Sequence, residues 1–209
     1  MNRIVENNQV TISGEIASGF NFSHELYGEN FYIVNVKIRR FSDTCDIIHV
    51  MVSDRMIDTD KDFTGECVSV TGQFRSYNKH DGERNILILS VFARDFDLIE
   101  SEECGNSNII ELDGFVCKEP KYRKTPLGRE ITDMLLAVNR GYGKSDYIPC
   151  ITWGRNARFA GNLEVGTRIK VSGRIQSRDY IKRYADGREE ERTAYEVSVN
   201  KLEVVEDAD

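Results

Sequence analysis

The sequence repeats itself with a period near one hundred residues, and this repeat limits the possible folds more than any other feature. In its clearest stretch, NQVTISG in the first half corresponds to NIIELDG in the second. Matching positions begin at Asn8 and Asn108, at Gly28 and Gly128, at Asp46 and Asp146, and, with one inserted residue, at Gly65 and Gly166. Because the matches keep their order and a nearly constant shift, we predict two copies of one domain.

Short apolar runs alternate with polar residues inside each copy. Those of the first copy are VTISGEI, FYIVNVKI, DIIHVMV, CVSVTGQF and NILILSVF, and those of the second are IIELDGFV, EITDMLLAV, DYIPCITW, RIKVSGRI and AYEVSVNKLEV. A period of two with many β-branched residues favours β-strands. Each copy is therefore predicted to contain five strands.

The segments between the third and fourth strands are SDRMIDTDKDFTG and GRNARFAGNLEVG, and the latter clusters Ala157, Ala160 and Leu163 at helical spacing. Three strands, a short helix and two strands is the order of an OB fold. The sequence therefore predicts an all-β protein of two tandem OB-fold five-stranded β-barrels, each with a short helix between strands 3 and 4. The polar linker ESEECGNSN places the domains at residues 1–101 and 107–206, with a short acidic tail at 207–209.

Charge is distributed unevenly along the chain. The formal net charge is −7, yet residues 115–185 carry 15 Lys and Arg against 6 Asp and Glu. Residues 1–100 carry 10 against 16. A basic segment inside an acidic protein is compatible with a nucleic-acid ligand, because phosphate binding depends on local positive charge.

The five cysteines are widely spaced and form no CxxC pair, so we expect them to be reduced and to bind no metal. No apolar run is long enough to span a bilayer, and MNRIVENNQV lacks the apolar block of a secretory signal. We therefore expect a cytoplasmic protein that does not contact a membrane and needs no cofactor.

Two loops of the second copy combine cations with aromatic rings. OB folds commonly bind oligonucleotides across strands 2 and 3 and the loops joining strands 1 to 2 and 4 to 5. The first loop holds Lys118, Lys121, Arg123, Lys124 and Arg129 around Tyr122, and the other holds Arg178, Lys182 and Arg183 around Tyr180 and Tyr184. This composition suits a single strand, because cations hold phosphates while bases stack on rings. The alternative is a solvated loop whose lysines serve solubility.

The third strand of the second copy carries two further rings. By alternation, Ile148, Cys150 and Thr152 are predicted to point inward, and Tyr147 and Trp153 outward. Outward rings on this face favour a stacking platform. Packing beneath a loop or an oligomer contact would also account for them.

Five segments of the second copy resemble the bacterial single-stranded-DNA-binding protein (SSB) family. They are NIIELDGFV, TPLGREITDMLLAVNR, SDYIPCITWGRNA, GTRIKVSGRIQSRDY and TAYEVSVNKLEVV, which together span residues 108–206. The resemblance implies a protein that coats single-stranded DNA in replication, recombination and repair, without catalysis or sequence readout. It also implies base stacking by Tyr142, Tyr147, Trp153 and Tyr180, and phosphate contacts by Arg123, Arg129, Arg155, Arg174 and Arg178.

The first copy departs from this pattern. The repeat shift places Ser42, Ile47, Ser53 and Lys79 where the second copy has Tyr142, Tyr147, Trp153 and Tyr180. We therefore expect a degenerate binding face in residues 1–101. Its remaining rings and cations, among them Phe41, Arg75 and Tyr77, would make auxiliary contacts or serve structural and pairing roles.

The family usually assembles four OB folds, so two per chain imply a homodimer. Family members generally end in an acidic tip with a closing Pro-Phe that recruits replication and repair proteins. This chain stops at EVVEDAD, so recruitment by such a tip is not expected.

No P-loop, HExxH or GxSxG motif is present, which disfavours an enzyme. The alternatives are a protein-interaction module of a replication assembly, a single-stranded RNA binder and, last, a magnesium-dependent nuclease.

Overall fold

The computed structural model describes residues 7–40, 42, 44–81, 84–184 and 187–206; the predicted tail at 207–209 lies outside them. The first half contains β1 (Asn8–Ile16), β2 (Asn21–Leu26), β3 (Glu29–Arg39), β4 (Cys45–Ser53), β5 (Cys67–Asp81) and β6 (Arg84–Ile99). The second contains β7 (Asn108–Val116), β8 (Lys121–Lys124), β9 (Glu130–Asn139), β10 (Ser145–Trp153), α1 (Gly154–Ala160), β11 (Arg168–Arg183) and β12 (Glu189–Val204). The prediction of an all-β chain made of two similar halves is confirmed.

Each half follows the same strand order. The sheet runs β2-β3-β4-β6-β5-β1 and continues as β7-β11-β12-β10-β9-β8, and the additional pairings β3–β1 and β7–β9 connect the first and third strands of each half. All pairings are antiparallel except β4–β6 and β10–β12. Inward side chains of both halves form the apolar core, in which Ile12, Phe74, Leu136 and Ile175 are fully buried. This is the strand order of an OB fold, present twice.

Within the described residues, each half has six strands rather than the predicted five, because part of the first loop pairs with the following strand. In the first half, β2 and β3 are joined by Tyr27 and Gly28, which both have positive φ angles of 52° and 76°. Two such residues build the tight turn that suits a hairpin. Gly128 has the same φ of 76°, which accounts for the match between Gly28 and Gly128 in the repeat.

The predicted helix between the third and fourth core strands is present only in the second half, as α1, where Ala157 and Ala160 are buried. Residues 54–65 of the first half form turns instead. There, carboxylates of Asp58 and Asp62 accept hydrogen bonds from the backbone N–H groups of Asp60 and Thr64. Asp side chains that cap nearby backbone groups compete with helical hydrogen bonds, so the expected helix does not form. No helix in the described part of the chain is long and apolar enough to cross a bilayer.

The two halves meet along β1 and β7, which pair antiparallel with Val10 opposite Ile110. Asn8 exchanges two 2.8 Å hydrogen bonds with the backbone of Phe74, and Asn108 does the same with Ile175 at 2.7 and 2.9 Å. Both the strand pairing and these side-chain contacts obey the repeat shift. The junction is therefore close to two-fold symmetric, as in a dimer whose subunits have been fused.

The expectation that every cysteine is reduced was wrong for two of them. Cys67, at the start of β5, and Cys104, in the connection between the halves, form a disulfide. The pairing could not be predicted from the sequence, because the two cysteines are 37 positions apart and spacing alone does not show which distant segments lie together. Cys45, Cys117 and Cys150 are free.

Candidate nucleic-acid interface

Strand β10 carries the two outward rings. Asp146, Ile148, Cys150 and Thr152 are buried, whereas Tyr147 and Trp153 are 47% and 37% exposed. The predicted alternation is therefore confirmed. The indole Nε1 of Trp153 donates a 3.2 Å hydrogen bond to Oγ of Ser198 on β12. This bond fixes the orientation of the ring while leaving much of its surface open.

Tyr180 lies on β11 rather than in a loop, because β11 and β12 continue as a long hairpin up to Arg183 and Glu189. The sequence therefore predicted the turn between these two strands at an earlier position in the chain than the structure shows. The Tyr180 ring lines a groove of about 600 Å³ together with His49 and Leu87 of the first half and Pro149 of β10. The Arg178 guanidinium lies 5.8 Å from the Tyr180 ring centroid, which places a cation beside this ring.

Tyr122 and Arg123 lie on β8 and are both bonded to carboxylates. The Tyr122 hydroxyl donates to Glu130 at 2.7 Å, and this hydrogen bond raises the pKa of the tyrosine. Arg123 Nε lies 2.7 Å from a carboxylate oxygen of Asp133. Both side chains remain exposed, so their outer surfaces are open to a ligand, but Arg123 is already partly neutralised.

Six of the predicted phosphate-binding side chains are exposed and have no ion-pair partner within the described ranges. They are Lys118, Lys121, Lys124, Arg129, Arg155 and Arg178. Four surround the β8 hairpin, and Arg155 is in the first turn of α1, two residues after Trp153. Of the hairpin cations, Lys182 lies 5.1 Å from the Tyr184 ring centroid and Arg183 pairs with Glu189 at 2.9 Å.

Arg174 has a different environment from the other predicted phosphate ligands. It is half-buried and forms a 3.2 Å ion pair with Asp46 of the first half. Burial and the neighbouring Arg40 lower the pKa of Arg174. The side chain of Tyr142 lies outside the described part of the structure, and only its backbone, in a short 3₁₀ turn at Gly141–Gly143, is placed.

Two buried carboxylates connect the halves in a crossed arrangement that sequence reasoning missed. Asp46 accepts hydrogen bonds from Arg40 at 2.7 Å and from the Ser177 N–H at 2.7 Å. Asp146 accepts them from Arg140 at 2.6 Å and from the Ser76 N–H at 2.6 Å. We call these the crossed clusters. The sequence did contain one indication of these clusters, because Asp46 and Asp146 occupy equivalent positions of the repeat. Their partners Ser177 and Ser76 lie far away in the sequence and could not be predicted from it.

Each crossed cluster carries a net positive charge. Arg174 joins the cluster of Asp46 and Arg75 joins that of Asp146, at 3.2 and 3.4 Å, so each contains two guanidinium groups and one carboxylate. All four arginine side chains keep part of their surface exposed. They are consequently able to offer donors to an anion while they hold the two halves together.

Comparison with known proteins agrees with this geometry. Residues 107–205 match the model of the single-strand binding protein family. Over 80 residues, the chain is 39% identical to single-stranded DNA-binding protein A of Bacillus subtilis, covering 35% of this chain and 46% of that protein. It is also 39% identical to single-stranded DNA-binding protein 2 of Listeria innocua, covering 50% of it. The chain thus matches about half the length of these curated relatives.

The whole fold is similar to that of the wild-type single-stranded DNA binding protein from Thermus aquaticus. The TM-score is 0.77 at 21% identity, with 97% of this chain and 94% of that one covered. At this identity the likeness concerns the fold, and it covers both halves. Residues 107–205 are thus similar to the single-strand binding protein family.

Proposed function

We propose that this protein binds and protects single-stranded DNA, without sequence specificity, in DNA replication, recombination and repair. The observation that carries the proposal is the exposure of Tyr147 and Trp153 on one face of β10, beside cations that have no carboxylate partner within the described ranges. The match of residues 107–205 to the single-strand binding protein family supports it.

In the proposed complex, bases stack on Tyr147, Trp153 and Tyr180, and Tyr122 extends the platform along β8. Each stacked base contributes about 1–3 kcal/mol, and the contact tolerates any base because every base has a π-face. Lysine and arginine side chains of the β8 hairpin and α1 hold the phosphates, which carry no sequence information. Binding of this kind protects the strand and requires no catalytic group.

The test is a titration with oligo(dT) and oligo(U) of equal length, followed by the fluorescence of Trp153, the single tryptophan of the chain. Quenching by oligo(dT) with tighter binding than oligo(U) is the expected result. Absence of quenching by either oligonucleotide would favour the protein-interaction module. Preference for oligo(U) would favour the RNA binder, since stacking alone does not select deoxyribose. Degradation of the DNA on addition of magnesium would indicate a nuclease.

We further propose that residues 1–101 and 107–206 are the two OB-fold domains and that residues 207–209 are a short acidic tail. We also propose that the protein acts in the cytoplasm, as a homodimer with four OB folds. The near-symmetric pairing of β1 with β7 supports the assembly, since it shows that two copies of this fold can associate with dimer-like symmetry. Sedimentation at micromolar concentration tests the homodimer, and a monomer would contradict it.

A further inference from the structure

Two surfaces at equivalent places of the halves carry opposite charge. In the first half, residues 21–30 and 54–66 contain 7 Asp and Glu against 2 Lys and Arg. The matching residues 121–130 and 154–167 of the second half contain 2 Asp and Glu against 6 Lys and Arg. We call these surfaces the acidic end and the basic end. The repeat therefore gives one molecule two similar surfaces with complementary charge.

The acidic end is formed by the β2–β3 hairpin and the turns that follow β4. The side-chain amide of Asn30 donates a 2.9 Å hydrogen bond to the carboxylate of Asp54. A guanidinium nitrogen of Arg55 lies 3.5 Å from a carboxylate oxygen of Glu29. Glu25 is opposite Asn30 in the β2–β3 pair. These contacts hold the hairpin beside the turns, so both segments contribute to one surface.

The basic end is formed by the β8–β9 hairpin and α1. Glu130 connects the two, because it accepts hydrogen bonds from the Tyr122 hydroxyl at 2.7 Å and from Nε of Arg158 at 2.8 Å. Arg155 precedes Arg158 and Phe159 by three and four positions, a spacing that places the three side chains on one face of a helix. All three are exposed. The outer face of α1 thus combines two cations with an aromatic ring.

Both ends also expose large apolar side chains. Leu26 and Tyr27 at the acidic end are 51% and 95% exposed, and Leu127 and Phe159 at the basic end are 85% and 51% exposed. Tyr27 and Leu127 occupy equivalent positions of the repeat, each in the turn of its hairpin. Apolar side chains surrounded by charged ones are typical of protein–protein interfaces, which have an apolar centre and a polar rim.

The charges of the acidic end are available to a partner. The carboxylates of Glu25, Asp60 and Glu66 are exposed and have no ion-pair partner among the residues that the structure describes. At the basic end, the same holds for Arg155. Charges of opposite sign on two surfaces bring the surfaces together and suppress the contacts in which like charges would meet. The acidic end is consequently matched to a positively charged partner such as the basic end.

We propose that the acidic end of one molecule docks on the basic end of a second copy of this chain. Because the contact joins two different surfaces, each copy keeps one free end, and further copies can be added head to tail. A symmetric homodimer uses the same surface on both copies, so this contact is additional to the homodimer proposed above. Each end contains an outermost strand of the sheet order, β2 or β8, and neither takes part in the β1–β7 junction.

The consequence for DNA rests on the function proposed above. Leu127, Arg158 and Phe159 are outside the set of residues proposed to bind DNA, so the basic end holds a neighbouring copy through other side chains than those that hold the strand. Copies docked head to tail then lie next to each other on one DNA strand, and a bound copy favours binding of the next.

The test is sedimentation velocity without DNA at about 0.05 M and about 1 M salt, because salt screens the attraction between exposed charges. We expect the wild type to form larger species at the lower salt concentration, which grow with protein concentration and are lost at the higher one. Glu25→Lys with Asp60→Lys reverses charges of the acidic end, and Arg155→Glu with Arg158→Glu reverses those of the basic end. Either variant alone should associate at least about tenfold more weakly, because like charges then meet.

An equal mixture of the two variants restores opposite charges at every contact between unlike molecules. We expect this mixture to associate as the wild type does. A mixture whose species stay as small as those of the separate variants would contradict the docking, and so would a wild type whose association does not depend on salt. Circular dichroism checks the fold, and the single changes Asp60→Lys and Arg158→Glu replace the double variants if these do not fold.

Glu100→Lys with Glu102→Lys is the matched control. It changes the net charge by the same amount as the variant of the acidic end, at exposed carboxylates of the connection between the halves. This control should associate as the wild type does, and a loss equal to that of the acidic-end variant would show that only net charge matters.

The proposed function is read separately, by quenching of Trp153 with oligo(dT). Quenching in a wild type that does not associate would overturn the docking and leave the proposed function standing. Association that depends on salt and is restored by mixing, in a protein that oligo(dT) does not quench, would support the docking and overturn the function.

Discussion

Tyr147 and Trp153 expose their rings at opposite ends of β10, and neither is needed to fill the core. We expect Tyr147→Ala or Trp153→Ala to weaken binding of a short oligo(dT) about tenfold or more, because each stacked base contributes about 1–3 kcal/mol. Fluorescence anisotropy of a labelled oligomer measures this without relying on the tryptophan. Phe159→Ala, an exposed ring on α1, is the control, and an equal loss there would contradict a specific platform.

His49 is a residue whose protonation affects stability. Its ring nitrogens contact Asn35 Oδ1 at 2.7 Å and the Tyr195 hydroxyl at 3.0 Å, and burial lowers its pKa below 6.5. Burial also raises the pKa of Tyr195 to about 12, so this partner stays neutral. The folded state therefore binds the His49 proton less tightly than the unfolded state.

It follows that His49 contributes stability above pH 6.5 that is lost as the pH falls through its lowered folded pKa. We expect the free energy of unfolding to decrease between about pH 7 and pH 5, and His49→Gln to flatten this part of the profile. Urea unfolding of both proteins across this range measures the effect. Parallel pH profiles would contradict it.

At the scale of elements, the crossed clusters hold β4 and β10 against the hairpin strands of the opposite half. Asp46→Asn or Asp146→Asn leaves two arginines beside a neutral group that is nearly inaccessible to water. We expect each change to lower the free energy of unfolding by about 2–4 kcal/mol. Asp133→Asn, which removes only the exposed pair with Arg123, should cost less than about 1 kcal/mol. Denaturant unfolding compares the three, and equal effects would rule out a special role for the clusters.

The disulfide ties the start of β5 to the connection that leads into β7. Closing a loop of 37 residues is expected to stabilise the folded state by about 2–4 kcal/mol, mainly by restricting the unfolded chain. Reduction with dithiothreitol and the substitution Cys104→Ser should therefore lower the melting temperature to a similar extent. Cys45→Ser should retain the response to dithiothreitol. A melting curve insensitive to the reductant would show that the bond does not contribute.

At the scale of the whole molecule, a negative protein is proposed to bind a polyanion through one basic region. Removal of one phosphate-binding cation from a single-stranded complex reduces the slope of log K against log salt by about 0.7. We expect Lys121→Ala with Lys124→Ala to reduce this slope by about 1.4. Lys61→Ala, in an exposed pair with Asp58 of the first half, should leave it unchanged. Titrations at several salt concentrations measure the slopes, and equal slopes for all three proteins would argue against phosphate binding by β8.

The pattern of residues along the chain was enough to predict most of the architecture of each half. Alternation with a period of two predicts strands because successive side chains of a strand point to opposite faces. It also placed Tyr147 and Trp153 on the outer face, as the burial of β10 confirms. The helix prediction was correct for the second half, where Ala157 and Ala160 recur at helical spacing. It was wrong for the first half, where Asp58 and Asp62 accept hydrogen bonds from nearby backbone N–H groups.

The contacts between the halves could not be predicted in this way. The pairing of Arg174 with Asp46, the disulfide of Cys67 and the groove beside Tyr180 all join residues that are far apart in sequence. Periodicity reports the environment of a side chain on its own strand, whereas ion pairs and grooves depend on which distant strands meet. For that reason the repeat predicts two similar folds but not the contacts between them. In the structure, Arg174 forms an ion pair with Asp46 of the first half. Ser76 of the first half lies next to Tyr147 on β10.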